Sequence, residues 1–378
     1  MYCTGDMPVS VSFNSLQIYQ SKRNSAIQLR LQILRGKRYH IRLVYGIFLP
    51  MARTLPQPLL ERLTKQFGPQ TVATMLRAFS TKRFPTLRIN TLKTTDHAVM
   101  DVYREEGIAF ERIKNVPHAL RIKNRTDEQL LDHHLTKAGH VYLQGIASMI
   151  PPLILAPLPG QIVADICAAP GSKTSELAAL MENRGTLIAC EDNSVRFQKL
   201  QNTITIQGVN AQAKNVDSTT LHHEYPETFD AILADVPCTA EGRIDLSDPR
   251  SFTFWSQKNI TEHAKLQRRL LRSAYRMLKP GGTLVYSTCT LAPEENEEQM
   301  KWFIDEHPSM HIEPMTLPVS PIRPTKFGTI ILPTAESEGF FVAKIKKENN
   351  TPHSQLPLYI PNKNHTLLRY ESLRVGTK

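Results

Sequence analysis

From residue 162 onward the chain alternates short apolar runs with helical stretches, and the first alternation turns on a glycine. Ile162-Val163-Ala164-Asp165-Ile166-Cys167 reads as a buried strand, Ala168-Ala169-Pro170-Gly171-Ser172-Lys173 as a tight turn, and the stretch to Met181 as a helix. Strand, glycine turn and helix in that order open a doubly wound α/β domain. The pattern predicts further strands at residues 185–191, 213–217, 229–237, 283–289 and 339–345. Helices are expected at 196–207 and 261–279, the latter ending at Pro280-Gly281-Gly282. Pro293-Glu294-Glu295 reads as the first turn of another helix, with carboxylates near the positive end of its dipole.

Ahead of this lies a smaller α+β pattern. Apolar residues recur at helical spacing between Pro58 and Phe79, an alternating strand follows over 85–92, then a helix over 96–106 and a strand over 108–113. Basic residues Arg77, Lys82, Arg83, Arg88 and Lys93 surround the strand at Pro85 and fit either RNA backbone contact or a solvated face. The expected organisation is therefore a basic extension over 1–50, an RNA-binding α+β unit over 51–139, the α/β domain over 140–347 and a tail over 348–378.

The net charge of +11 favours a polyanionic partner. Residues 1–50 hold seven basic residues against one acid, Asp6, so more than half of that excess sits there and the body is only mildly basic. Such a segment fits a disordered extension, a basic arm or a targeting sequence. Five cysteines, odd in number and without C-x-x-C spacing, argue against a zinc knuckle or a disulfide framework and for a reducing cytoplasm. No apolar run reaches 18 residues, so no membrane span is expected, and no metal.

Ligands of open α/β sheets bind beyond the carboxyl ends of the strands. The turn after Asp165 is neither a Walker loop nor a G-x-G-x-x-G fingerprint, which disfavours phosphate cradling. Glu191, Asp217 and Asp235 stand at successive strand ends, suited in turn to a ribose diol, an adenine and the cofactor's reactive end. A nucleoside with a cationic, non-phosphate tail meets these acids best, and S-adenosylmethionine is such a ligand. Asp192 reads as a helix cap. Two cysteines also follow strands, in Asp235-Val236-Pro237-Cys238 and Ser287-Thr288-Cys289-Thr290. A thiol so placed is a candidate nucleophile, whereas Cys190, inside a strand, reads as core.

Together the segments Arg88-Ile89-Asn90-Thr91-Leu92-Lys93, Tyr142-Leu143-Gln144, Asp165 through Thr174, Asp235-Val236-Pro237-Cys238, Pro280-Gly281-Gly282, Ser287-Thr288-Cys289-Thr290 and Glu338-Gly339-Phe340-Phe341 resemble the Sun-type (Nop/Sun, RsmB/RsmF-like) RNA cytosine-C5 methyltransferases. The resemblance covers about residues 85–345. It implies a seven-stranded class I methyltransferase sheet of Rossmann-like type. It further implies that Cys167, Ala168, Ala169, Pro170, Gly171, Ser172 and Lys173, with Glu191, Asp217 and Asp235, hold S-adenosylmethionine. By the same resemblance Cys289 is the nucleophile and Cys238 assists product release. Val236 stands where the family usually has alanine, and Thr239-Ala240-Glu241-Gly242 departs from the usual loop, which bears on the target-base pocket. A NusB-like N-terminal domain cannot be placed in the chain.

The chemistry accounts for the residue types. Carbon 5 of cytosine is too weakly nucleophilic to accept a methyl group until a thiolate adds at carbon 6. Asp235 can ease that addition at N3, and Lys173 can position Asp235 or lower a thiol pKa. DNA enzymes running this reaction attack with the Pro-Cys thiol, so Cys238 is the alternative attacker. The expected substrate is ribosomal or transfer RNA, with the cytosine single-stranded or flipped out, and the expected enzyme is a monomer. Other readings are a class I methyltransferase for DNA cytosine or another substrate, and a non-catalytic RNA-binding assembly factor; intact thiols, Asp235 and Lys173 weigh against the last.

Overall fold

The computed structural model describes residues 55–349, together with the backbone of two strands nearer the amino terminus. Those strands, β1 (Gln28–Gln32) and β2 (Arg38–Arg42), form an antiparallel ladder within a unit of their own spanning residues 1–54. The rest of the expected basic extension, Cys3 and the tail from residue 350 lie outside the described residues.

Helices α1 (Gln57–Phe67) and α2 (Pro69–Ser80) replace the single helical run expected between 58 and 79. Gly68 separates them at φ +80°, and Pro69 then supplies the restricted φ that suits a first helical turn. Leu59, Leu63, Val72, Met75 and Phe79 point into the core of the large α/β layer. The small antiparallel sheet follows, from β3 (Thr86–Ile89), β4 (Phe110–Arg112), β5 (Ala119–Ile122) and β6 (Val141–Leu143), in the order β4-β5-β3-β6. Between β3 and β4 runs α3 (Asp96–Glu105), capped by Thr95; between β5 and β6 run α4 (Asp127–Asp132) and α5 (His134–Lys137). Leu87, Ile89, Tyr103, Leu120, Ile122 and Val141 form a separate core for this unit.

After α6 (Ile146–Leu155) come β7 (Ile162–Asp165), α7 (Ser172–Leu180), β8 (Thr186–Cys190), α8 (Ser194–Gln207), β9 (Gln212–Lys214) and β10 (Phe229–Asp235). Then follow α9 (Gln257–Met277), β11 (Leu278–Thr288), α10 (Glu297–Glu306), β12 (Met310–Ile312), β13 (Ile322–Thr325), β14 (Gly328–Ile331) and β15 (Phe340–Lys347). The sheet has nine strands rather than the seven expected. Five run parallel in the order β11-β10-β7-β8-β9, and β15 adds antiparallel to β11. Three strands have no counterpart among the expected positions: β12, which pairs antiparallel with β15, and the short hairpin of β13 and β14, whose first strand is too polar to show an apolar period. Chain order reverses between β7 and β10, which puts the ligand-binding crevice of such sheets at their carboxyl ends.

Asn90 explains part of its motif. Its buried amide donates to the carbonyls of Gly139 (2.9 Å) and Gln207 (2.8 Å), tying the small sheet to the end of α8. Lys93 adds bonds to the Ala138 and Ile206 carbonyls. Arg88 is neither solvated nor a free RNA contact. It is buried, donates to Gln144 (3.1 Å) and Ser175 (2.7 Å), and pairs with Glu176 at 3.7 Å.

Candidate active site

Both thiols stand just past the carboxyl ends of adjacent parallel strands. β10 and β11 are in register at Asp235 with Ser287, so the short extensions beyond them carry Cys238 and Cys289 to the same level. Their Sγ atoms are 3.3 Å apart. Both thiols are half-buried and line a cleft of about 420 Å3, together with Asp235, Lys173, Arg243 and Glu338. The hydrogen bond between the thiols acts in opposite directions. It lowers the pKa of Cys289, helped by the nearby Arg243 charge, and raises that of Cys238 well above the usual thiol range. Of the two thiols Cys289 is thus the more readily ionised, and the nucleophilic form of a cysteine is its thiolate.

Asp235 is held from two sides. Its Oδ1 accepts from the Ser287 hydroxyl at 2.7 Å, and its Oδ2 pairs with Lys173 Nζ at 2.7 Å. Lys173 is delivered by the first turn of α7 and also donates to Ser148 Oγ at 2.8 Å. Burial alone would lower the pKa of Lys173, but Asp235 and Asp165 more than offset it. Of the two roles open to Lys173, positioning Asp235 is the one with a direct contact.

The first turn forms as expected. Gly171 adopts φ +107°, a backbone state that L side chains rarely take, and α7 starts at Ser172. Cys167, Ala168, Ala169, Pro170, Ser172 and Lys173 line the cleft. Asp165 beneath them is fully buried; Oδ2 accepts from Thr174, while Oδ1 has no hydrogen-bond partner among the described residues. Burial pushes its pKa up to about 6. An unfilled acceptor beside small residues fits a ligand bearing N–H donors or a positive charge, which suits S-adenosylmethionine.

Glu191 and Asp217 lie off the cleft lining. The Glu191 carboxylate is engaged by Arg196, whose Nη1 approaches Oε1 at 3.2 Å while Nη2 donates to the Ala169 carbonyl at 2.8 Å. Arg196 itself lines the cleft. Asp217 Oδ1 caps the Thr219 amide at 2.8 Å. Asn193, rather than Asp192, caps α8 by accepting from the Arg196 amide. Cys190 is buried in β8, as its position predicts.

Some residues of the site had no visible signal. Pro293–Glu295 is a 3-10 turn, and Glu295 does not face a helix dipole: it is fully buried and braces the Cys238 loop. It accepts from the Thr239 amide (3.2 Å), the Thr239 hydroxyl and Gln267 Nε2 (2.9 Å), and burial raises its pKa. Gly242 follows Ala240, which is left-handed at φ +57°. The Gly242 amide donates to the Cys289 carbonyl and its carbonyl accepts from the Gly339 amide, both at 2.9 Å. Only glycine fits there, because a Cβ would stand 2.0 Å from the Gly339 oxygen. Glu106, His133 and His134 also gather potential ligand atoms within 4.8 Å. There, however, His133 Nδ1 accepts from the Leu135 amide to cap α5 and Nε2 meets Glu106 at 2.7 Å, so both ring nitrogens are taken. No helix of the described residues is long and apolar enough to cross a membrane.

Residues 152–346 match the family model described as 16S rRNA methyltransferase RsmB/F, and residues 55–129 match that of the RsmF/B-like ferredoxin-like domain. The chain is 35% identical over 288 residues to ribosomal RNA small subunit methyltransferase F of Cronobacter sakazakii, an alignment covering 72% of this chain and 59% of that protein. It is 34% identical over 282 residues to tRNA (cytosine(49)-C(5))-methyltransferase of Pyrococcus abyssi, covering 70% of this chain and 88% of that one. The crystal structure of a methyltransferase homolog from Pyrococcus horikoshii superposes with a TM-score of 0.66 at 30% identity, covering 78% of this chain and all of that one. The chain thus spans less than two thirds of the length of the bacterial relative.

Proposed function

The chain belongs to the RsmB/F methyltransferase family, and from that premise we propose that it methylates carbon 5 of cytosine in RNA through a covalent cysteine adduct. The observation that carries this reading is the pair of thiols 3.3 Å apart beside the Asp235–Lys173 ion pair. Bound S-adenosylmethionine supplies the electrophilic methyl group. The residues to hold it are Cys167 to Lys173, with Asp235, Glu191 and Asp217 as the further acids; Arg196 and the Asn193 amide both engage the Oε1 oxygen of Glu191.

Cys289 adds through its thiolate to carbon 6 of the pyrimidine, and the electron pair of the 5,6 double bond moves toward carbon 5, where the methyl group is accepted. Asp235, steadied by Lys173 and Ser287, lines the cleft, and a proton shared between its carboxylate and N3 of the base eases the addition at carbon 6. The proton on carbon 5 then leaves to a base, the ring double bond re-forms and the bond from carbon 6 to Cys289 breaks. Cys238, whose sulfur touches that of Cys289, assists this elimination. The opposite assignment, with Cys238 attacking, is disfavoured by the Arg243 charge, which favours the thiolate of Cys289.

Relatives named for ribosomal and for transfer RNA both align, so the substrate class is RNA with the target base out of any stack. In this reading the chain acts as a cytoplasmic monomer without a metal. Trapping tests it. With RNA and S-adenosylmethionine, Cys238→Ala should accumulate a covalent protein–RNA species resistant to denaturing electrophoresis, while Cys289→Ala forms none. Adducts from Cys289→Ala and none from Cys238→Ala would transfer the attack to Cys238; a Cys289→Ser enzyme working at full rate would end the covalent mechanism.

A further inference from the structure

A second cavity shares a wall with the thiol cleft. It holds about 230 Å3, formed by the segment from β10 to α9 and the first turns of α9, and Cys238 lines both spaces. Cys289, Asp235 and Lys173 line only the cleft, so a cytosine presenting carbon 6 to Cys289 leaves the second cavity open. Pockets that bury drug-sized ligands run to about 300–1,000 Å3, which leaves this one room for a single flat ring and little more.

Three aromatic rings line this space. Phe252 is buried, Trp255 is pinned by donating Nε1 to Glu241 Oε1 at 2.7 Å, and Phe254 is 77% exposed. Three polar side chains line it as well, and each offers an acceptor. Glu241 is only 2% exposed, and its Oε2 has no hydrogen-bond partner among the described residues. Burial pushes its pKa up to about 7, and an N–H donor brought to Oε2 would favour the ionised, accepting form. His263 Nδ1 lies 2.8 Å from the Asn259 carbonyl oxygen, which can only accept. The ring proton is therefore on Nδ1, and Nε2 of the neutral imidazole is an acceptor. Asn259 donates Nδ2 to the Phe254 carbonyl at 2.7 Å, which fixes the amide and leaves Oδ1 as an acceptor. Flat apolar faces with acceptors beside them suit a planar ring that carries N–H donors, and a buried carboxylate oxygen without a donor is costly until such a ring arrives.

We infer that this cavity seats the RNA base next to the target cytosine, stacked on Phe254 and read through its exocyclic amine by Glu241, His263 and Asn259. The inference rests on the RNA-methyltransferase reading and deepens it, because it gives the same strand a second point of recognition. With the target base against Cys289, the next nucleotide along the strand meets the cavity across Cys238. Stacking on an aromatic ring accepts any base, since every base has a π-face. The acceptors then favour adenine, cytosine or guanine over uracil, which lacks the amine.

The test is a coupling measurement by fluorescence anisotropy. The probes are short single-stranded RNAs with one target cytosine, either intact or with an abasic site immediately before or after it. At one of the two positions, loss of the base should weaken binding about tenfold, within the range for one base stacked on an aromatic side chain. Phe254→Ala should weaken intact RNA to a similar degree and have no further effect on the RNA that lacks the seated base. Phe254→Tyr, which keeps the ring, should bind as the native protein does. Glu241→Gln keeps an acceptor for Trp255 but turns the free oxygen into a donor, so it should erase the preference for an amino base over uracil at that position. Equal losses for Phe254→Ala on intact and abasic RNAs overturn the seat, and so does native affinity of Phe254→Ala for intact RNA. An unchanged base preference in Glu241→Gln overturns the reading of the amine. Adduct trapping with Cys238→Ala on the same RNAs keeps the two proposals apart: coupling without adducts removes the covalent methyltransferase reading, whereas adducts without coupling remove the seat alone.

Discussion

Replacing Gly242 with alanine isolates the close approach that registers two loops of the site. The added methyl would stand 2.0 Å from the Gly339 carbonyl oxygen and 2.5 Å from its carbon, whereas ordinary van der Waals spacing begins at 3.4 Å. The obstacle is backbone, so no side-chain rotation relieves it; one loop must retreat by roughly 1.4 Å, the difference between 3.4 and 2.0 Å. Such a movement breaks the Gly339-to-Gly242 hydrogen bond and strains that from Gly242 to Cys289, both 2.9 Å in the native fold. Overpacking of this kind costs about 1–3 kcal/mol. Activity should suffer more than stability, because a displacement of about 1 Å in a reacting geometry can cost roughly 100-fold in rate. Single-turnover methyl transfer to RNA and thermal unfolding of the same preparations check the point. A Gly242→Ala protein within twofold of the native rate would refute the claim that this close approach sets the position of the thiol cleft, whatever its melting temperature.

Two further changes test the supports. Asn90→Ala removes the amide that serves the Gly139 and Gln207 carbonyls; leaving buried acceptors unpaired should cost about 1–3 kcal/mol each, read as a lower denaturation midpoint. Asn90→Asp, which lacks the donor, should be destabilised as well, and a native midpoint in either variant would contradict the role given to the amide. Glu176 is buried and its pKa is pushed up to about 7, against an ordinary value of 4.5. Its folded form therefore keeps a proton that the unfolded chain loses, so its contribution to stability is present below pH 4.5 and is lost as pH rises through about 7. Urea midpoints of the native protein should accordingly decline from pH 5 to pH 8 relative to Glu176→Gln; parallel curves would contradict the assignment.

The parallel core of the fold was legible because four of its five strands are apolar runs bounded by turns; β9 is Gln-Ala-Lys, and it ends at Lys214, so Asp217 stands three residues past it instead of at the expected strand end. The Gly171 turn, the cysteine strand ends and the Lys173–Asp235 partnership belong to the same signal, since strand-end positions follow from the pattern itself. What stayed hidden depends on contacts distant in sequence. Glu295 reads as a first-turn carboxylate until Thr239 and Gln267, from two other segments, close over it. Arg88 reads as a surface charge until Gln144, Ser175 and Glu176 enclose it. Arg196 is an unremarked helical residue whose reach to Glu191 and Ala169 no spacing rule announces. The hairpin of β13 and β14 escaped because Arg323, Pro324 and Thr325 carry no apolar alternation.

Cys238 and Cys289 hang from neighbouring rungs of one parallel ladder, a few residues beyond the pairing of Asp235 with Ser287. The gap between the sulfurs is consequently inherited from main-chain pairing rather than from how well nearby side chains fit. Repacking the hydrophobic layers beneath the sheet should leave that gap almost untouched, so a redesigner seeking a new target base has freedom in the loops above while the two sulfurs stay a fixed reference.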